Sequence, residues 1–222
     1  MRLDLHTNSR HSPDSRLDPR DIVRQARSLG LDGIALTDHN AITGVNDARE
    51  YAKESEGFVV IGALEVSTTE GHILGYGVKE LIPRDLTPQE TVERIVAQGG
   101  VAVAAHPYRF WSGLGERVTL NTPFAIYEVQ NARTSRRGNG WATDLAARGG
   151  KGRTGGSDGH FIDEIGRAVT VLEERLQKED DVLQAMAGRR TDVAGVDRSL
   201  RATMRYVPKS VVEWMGRGFR RI

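Results

Sequence analysis

Five of the six histidines in this chain sit in or just after short apolar runs. His6 ends Arg2-Leu3-Asp4-Leu5, His39 follows Gly33-Ile34-Ala35-Leu36-Thr37-Asp38, and His72 opens on Ile73-Leu74. His106 closes Val101-Ala102-Val103-Ala104-Ala105, and His160 ends Gly155-Gly156-Ser157-Asp158-Gly159. Only His11 falls outside the pattern. One histidine at a strand end is commonly a satisfied loop or core residue, whereas five placed alike make a set of nitrogen donors. Acids accompany them. Asp158 and His160 are two apart and face one side of an extended backbone, although alone a glycine-flanked pair reads more readily as a surface turn. Glu65 lies in Phe58-Val59-Val60-Ile61-Gly62-Ala63-Leu64-Glu65-Val66-Ser67, a run too apolar for an exposed strand, so its carboxylate needs a cationic partner. The chain has no cysteine. A metal held here takes nitrogen and oxygen ligands, which favours zinc, manganese or iron over copper(I) or iron–sulfur chemistry.

Those groups need strands to carry them and helices to space the strands. Residues 2–7 alternate polar and apolar, as a short strand does. Asp18-Pro19 then supplies an N-cap and a first-turn proline, Ile22, Val23, Ala26 and Leu29 recur at helical spacing, and Gly30 closes the helix. Further strands are expected at residues 33–37, 58–67, 72–78, 101–106, 124–130 and 167–172. Helices are expected at about 43–55, from the capping box Thr87-Pro88-Gln89-Glu90 to Gly99-Gly100, and at 141–148 and 180–187. This alternation argues a parallel sheet, with 72–78 as hairpin partner or sheet neighbour of 58–67. Periodicity does not separate an open sheet from a barrel. The ligands do, because polar groups at the ends of five or six successive strands converge only if the strands form a ring.

The expected architecture is therefore a single α/β barrel domain over residues 1–195, with a basic tail, 196–222, packed on it or extending from it. At 222 residues the chain can bury one substantial core, and its formal charge of +1 gives no global field to mark a nucleic-acid or membrane binder. No apolar run approaches the roughly 20 residues of a membrane span, and the start carries no apolar segment of signal-peptide length. A cytoplasmic location is expected, and the oligomeric state is left open.

Taken in order, Asp4-Leu5-His6-Thr7-Asn8-Ser9 with Ser12-Pro13-Asp14-Ser15, Thr37-Asp38-His39-Asn40, Gly62-Ala63-Leu64-Glu65-Val66-Ser67, His106-Pro107-Tyr108-Arg109 and Gly156-Ser157-Asp158-Gly159-His160 resemble the motifs of the polymerase and histidinol phosphatase (PHP) family. The resemblance implies a distorted, TIM-like (β/α)7 barrel that holds two or three divalent ions and cleaves phosphoesters. By the same resemblance one metal takes His6, Glu65 and Asp158, a second Glu65, His72 and His106, and a third Asp14, His39 and His160. Glu65, Arg109, Asp158 and His160 then carry the reaction. The residue chemistry is compatible: a buried carboxylate can bridge two cations about 3.5–4 Å apart, a shared water then ionises near neutral pH, and in-line attack on phosphorus follows. Asp38 either orients an imidazole or caps the next turn, and the fork of Arg109 suits a phosphate.

One position departs from the family's pattern, which has a second histidine where this chain has Asn8. An amide is a neutral, weaker ligand than imidazole. Asn8 or a water fills the position in a natural variant, or the substitution is an engineered one that traps a bound state, or the lineage has lost activity; His11 is a poor substitute on an exposed loop. The mouth has no inserted domain above it, which suits a small phosphate ester or a nucleic-acid end. Arg133, Arg136 and Arg137 either contact a second phosphate or make a solvated basic loop, and Tyr108, Phe110 and Trp111 either stack on a base or pack. The expected activity is metal-dependent hydrolysis of a phosphomonoester or of a nucleotide or oligonucleotide phosphodiester; the alternative is a silent metal-bound module acting through binding.

Overall fold

Strands β1 (Arg2–Thr7), β2 (Gly33–Leu36) and β3 (Val59–Ser67) run parallel, as the helices between them, α1 (Pro19–Ser28) and α2 (Gly44–Ala52), require. The computed structural model describes residues 1–53 and 55–198. β4 (His72–Tyr76) reverses direction, because only residues 68–71 separate it from β3 and no crossover fits in that length. After α3 (Pro88–Ala97), β5 (Val101–Ala104) pairs antiparallel with β4. Following α4 (Gly115–Asn121), β6 (Ile126–Asn131), α5 (Arg136–Arg148) and β7 (Gly152–Gly156) restore the parallel pattern. β8 (Ala168–Val171), α6 (Glu179–Ala187) and β9 (Asp192–Gly195) complete the described chain. The parallel sheet expected from the strand–helix alternation is thus mixed, with β4 taking the hairpin alternative left open for 72–78, while the α/β barrel in a single domain is as expected.

The sheet order is β7-β6-β5-β4-β3-β2-β1-β8-β9, so seven strands form the wall in chain order. β8 pairs with the first residues of β1, Arg2 and Leu3, and β7 comes up beside its last ones. That seam has no full ladder: the Asp158 amide donates to the His6 carbonyl at 2.7 Å and the Asn8 amide to the Gly159 carbonyl at 3.0 Å. A Cβ on Gly156 would lie 2.3 Å from that of His6, so the strands meet only because glycine stands there. Asp4, fully buried, ties the same seam by accepting backbone N–H groups from Ser157 at 2.9 Å, Gly166 at 2.8 Å and His6 at 3.3 Å. Burial pushes its carboxyl up to about 6, despite those donors.

Local signals account for the helices. Asp18 accepts the Arg20 amide at the start of α1, Thr87 and Glu90 form a reciprocal capping box on α3, and Ser135 accepts the Gly138 amide on α5. α5 begins at Arg136 rather than at 141, since the two glycines of Arg136-Arg137-Gly138-Asn139-Gly140 mask a helix that the Ser135 cap starts. α2 is shorter at both ends than the expected 43–55, and the strand expected from 124 starts at Ile126. The short α4 and the largely exposed β9 carry no periodic apolar signal and were not expected. After β9, Asp197 accepts from Asn139 at 2.8 Å and the Arg198 amide donates to the Thr134 carbonyl at 3.0 Å. Most of the expected basic tail, from residue 199 on, lies outside the described residues.

Asp4 yields a prediction with a definite sign. A carboxyl whose folded pKa is near 6 against 3.8 unfolded binds its proton more tightly when folded, so this contribution favours folding below pH 3.8 and is lost as pH rises through 6. Urea unfolding of the wild type and Asp4→Asn should therefore show the wild type's advantage shrinking by about 2 kcal/mol between pH 4 and pH 7. An advantage that stays constant across this range would contradict the assignment.

Candidate metal centre

Glu65, near the C-terminal end of β3 and buried, is the point on which the strand ends converge. Its Oε1 lies 2.7 Å from His72 Nδ1 and 2.9 Å from His106 Nε2, and its Oε2 lies 3.0 Å from His6 Nε2 and 3.3 Å from His39 Nε2. His6 is on β1, while His39 and His106 follow β2 and β5 at the rim where the parallel strands end. His72 opens the antiparallel β4, which puts its first residue at that same rim, opposite Ser67 in the register. Glu128 on β6 accepts from His6 Nδ1 at 2.9 Å, and its other oxygen accepts the His106 amide at 2.8 Å and the Asn131 side-chain amide at 3.1 Å. With Nδ1–H committed to Glu128, Nε2 is the His6 nitrogen that faces inward, and loss of its proton gives the tautomer a ligating histidine needs.

A second group stands beside the first. Asp14 Oδ2 is 2.7 Å from His160 Nε2 and 3.8 Å from His39 Nε2, and Ser12 donates to its other oxygen at 2.7 Å. Asp158 accepts from Asn131 at 3.2 Å and is ion-paired with Arg109, and its Oδ1 lies 3.8 Å from His6 Nε2. His160 Nδ1 donates to the Asp158 carbonyl at 2.9 Å, and Arg133, buried, lies against that nitrogen and donates to the same carbonyl at 3.4 Å. Two of these residues hold left-handed backbone, His106 at φ 28° and Asp158 at φ 53°. Such conformations cost on the order of 1–3 kcal/mol for non-glycine residues and cluster where function fixes a side chain.

The electrostatics follow from burial against charge. For Glu65 and Asp158 burial opposes ionisation, but the surrounding imidazoles, and for Asp158 first of all Arg109, hold both well below the usual carboxylate range. Burial pushes His39 down to about 4, more than Glu65 and Asp14 pull it up, and likewise lowers His106. His6 goes the other way, since Glu128, Asp158 and Glu65 outweigh its burial and raise it.

The donors fit divalent cations. Three trios each have one ligand atom apiece within 4.8 Å of one another: His6, His106 and Asp158; Asp14, His39 and His160; and His39, Glu65 and His72. Nδ1 of His39, Nδ1 of His106 and both amide atoms of Asn8 are buried without a hydrogen-bond partner. Each such group costs about 1–3 kcal/mol if left so. On His39 and His106 it is Nε2 that faces Glu65, so a cation would be held through those nitrogens and not through the unpartnered Nδ1 atoms, and the mixed nitrogen and oxygen donor set suits a borderline cation.

Of the residues singled out in the sequence, the structure brings together His6, Asp14, His39, Glu65, His72, His106, Arg109, Arg133, Asp158 and His160, and it places Asn8 at the adjoining seam through its backbone amide on the Gly159 carbonyl. Asp14, His39 and His160 stand together, while Glu65 lies against His6, His72 and His106 as well as His39, and His106 also stands beside His6 and Asp158. Arg136 stays outside, exposed on the first turn of α5, and Arg137 lies over the Trp141 ring. His11 turns to Thr43 and Asp47. Asp38 reaches no imidazole; it accepts the Ser9 amide at 2.5 Å and hydroxyl at 2.8 Å and so fixes the loop after β1. Tyr108 leaves the site to donate to Glu116 and pack on Trp141. Sequence reasoning gave no role to Glu128 or Asn131; an acid inside the apolar strand Ile126–Asn131 was the one available signal.

Comparison with known proteins agrees with this geometry. The family model of the PHP domain matches residues 4–139, and that of the PHP-associated region matches 136–191. The chain belongs to the PHP domain family. An uncharacterised protein of Methanocaldococcus jannaschii is 41% identical to this PHP chain over 129 residues, 53% of this chain and 75% of that protein. A 5′-3′ exoribonuclease of Haemophilus influenzae is 37% identical over 87 residues, 37% of this chain and 31% of that one. Among solved structures, a two-domain protein of Bacteroides vulgatus containing a predicted PHP-like metal-dependent phosphoesterase shares the fold at 20% identity, with a TM-score of 0.72 over 88% of this chain and 65% of that one. No helix among the described residues of the PHP chain is long and apolar enough to cross a membrane.

The Glu128–His6 contact is testable apart from catalysis. Glu128→Gln keeps the shape but removes the acceptor charge that fixes the imidazole, and affinity for manganese or zinc should fall 10- to 100-fold by calorimetric titration. Unchanged affinity would show that Glu128 serves the fold alone.

Proposed function

We propose that this PHP chain is a metal-dependent phosphoesterase that hydrolyses a phosphomonoester or a nucleotide or oligonucleotide phosphodiester. One observation carries the reading: a single buried carboxylate, Glu65, faces four imidazoles, with Asp158 and its arginine alongside. Two or three ions of zinc, manganese or iron would be held by His6, His39, Glu65, His72, His106, Asp158, Asp14 and His160, with the amide of Asn8 as a further oxygen. When bound, such ions activate water and offset charge on phosphate oxygens.

The protein's own groups do the rest. Arg109 offers a planar fork to a phosphate, while Asp158 and the turn that carries Arg109 limit where that fork points. Arg133, held against His160, orients that imidazole and adds positive charge beside it. Arg136, on the exposed first turn of α5, would meet a second phosphate of a longer substrate. Location in the cytoplasm accords with such substrates.

The silent-module reading is favoured by one observation, the buried, unpartnered amide of Asn8 where the family pattern has histidine. The test covers both readings. Metal analysis of the purified protein, then phosphate release from a panel of nucleotides, sugar phosphates and short oligomers with manganese or zinc, should give metal-dependent turnover. Glu65→Gln should abolish both metal binding and turnover, and Arg109→Lys should raise KM at least tenfold with metal retained. Absence of both metal and turnover in the wild type would end the phosphoesterase reading. Turnover that appears only in Asn8→His would establish the silent module.

A further inference from the structure

Phe110 and Trp111 are 85% and 81% exposed, more than any other large hydrophobic side chain among the described residues. Their rings meet edge to face with centroids 4.6 Å apart. They stand at the tip of a tight turn closed by the Gly113 amide on the Arg109 carbonyl at 3.0 Å and the Gly115 amide on the Pro107 carbonyl at 2.9 Å. A Cβ at Gly113 would lie 2.4 Å from the Pro107 carbonyl, so the turn has little room to relax. Both its feet rest on residues of the metal centre: the Arg109 amide donates to the His106 carbonyl at 2.9 Å, and the His72 amide donates to the Ser112 carbonyl at 3.1 Å. Between foot and tip, Arg109 sends its guanidinium to Asp158.

A rigid turn anchored on two of the centre's histidines thus carries a phosphate-binding fork and, next to it in the chain, two solvated aromatic rings. A substrate that spans both must have a phosphate at one end and a flat, stackable group at the other. Along the chain the pair is flanked by Arg109, Ser112 and Gly113, so no apolar segment continues it on either side. We propose that Phe110 and Trp111 stack on the base of a nucleotide or nucleic-acid end whose phosphate lies at the Glu65 centre, which makes nucleotides rather than sugar phosphates the substrate class. This rests on the phosphoesterase reading and narrows it.

The experiment compares adenosine 5′-monophosphate with ribose 5-phosphate, which differ by the base, as ligands of the manganese-loaded wild type and of the doubly substituted Phe110→Ala, Trp111→Ala protein. Calorimetric titration should find the nucleotide bound about tenfold or more tightly than ribose 5-phosphate by the wild type. That ratio should collapse toward one in the double alanine variant and return in Phe110→Tyr, Trp111→Phe. No discrimination in the wild type, an equal weakening of both ligands in the variant, or binding of anionic phospholipid vesicles that depends on the two rings would overturn the proposal. Discrimination that depends on the rings but comes with no hydrolysis of any ester would leave the stacking assignment standing and remove the phosphoesterase reading alone.

Discussion

A carboxylate taken out of water is tolerated only where something positive meets it, and Glu65 imposes that condition on the whole rim. It sits two residues from the end of a nine-residue strand with every residue buried, so the opposite charge has to be brought in by other elements. Four strands or strand-end loops deliver an imidazole each, and two of those rings are themselves driven toward neutrality by their burial. His6, which the neighbouring acids hold toward its protonated form, can meet the acid directly, whereas rings driven toward neutrality meet it best by sharing a cation with it. The acid and the rings are mutually dependent for that reason, and neither set would be stable inside the barrel without the other.

The scaffold is arranged to hold that meeting place still. Asp38 fixes the loop after β1 through Ser9, Glu128 clamps both the His6 ring and the His106 main chain, and Asn131 links Glu128 to Asp158. None of these three touches more than one or two of the metal-ligand candidates, yet together they join β1, β2, β5, β6 and β7 at a single level. The left-handed turns at His106 and Asp158 belong to the same arrangement, because a strand that simply continued would carry both side chains past the rim.

The donors were legible in the sequence because each follows an apolar run that must end at one side of a sheet, and order along the chain then supplied the family. The supports were not. Asp4 and Glu128 differ from their neighbours only in being acids within strands, and what each acid does depends on residues more than a hundred positions away. The hairpin reversal at β4 was open in the sequence as hairpin or neighbour and is settled by the shortness of residues 68–71. Arg109, Arg133 and Arg136 look equivalent as letters. Tertiary packing separates them, one onto Asp158, one beneath His160 and one into solvent.

Gly156 sets when this centre can exist at all. It lets the last wall strand touch the first, and that contact is what puts His6 within reach of Asp158, an acid encoded about 150 positions later. During synthesis, then, the earliest donor waits unmatched until Asp158 has emerged. Ion loading is in consequence an event of the finished barrel, and a prematurely terminated chain would retain most of the imidazoles with no complete place to put a cation.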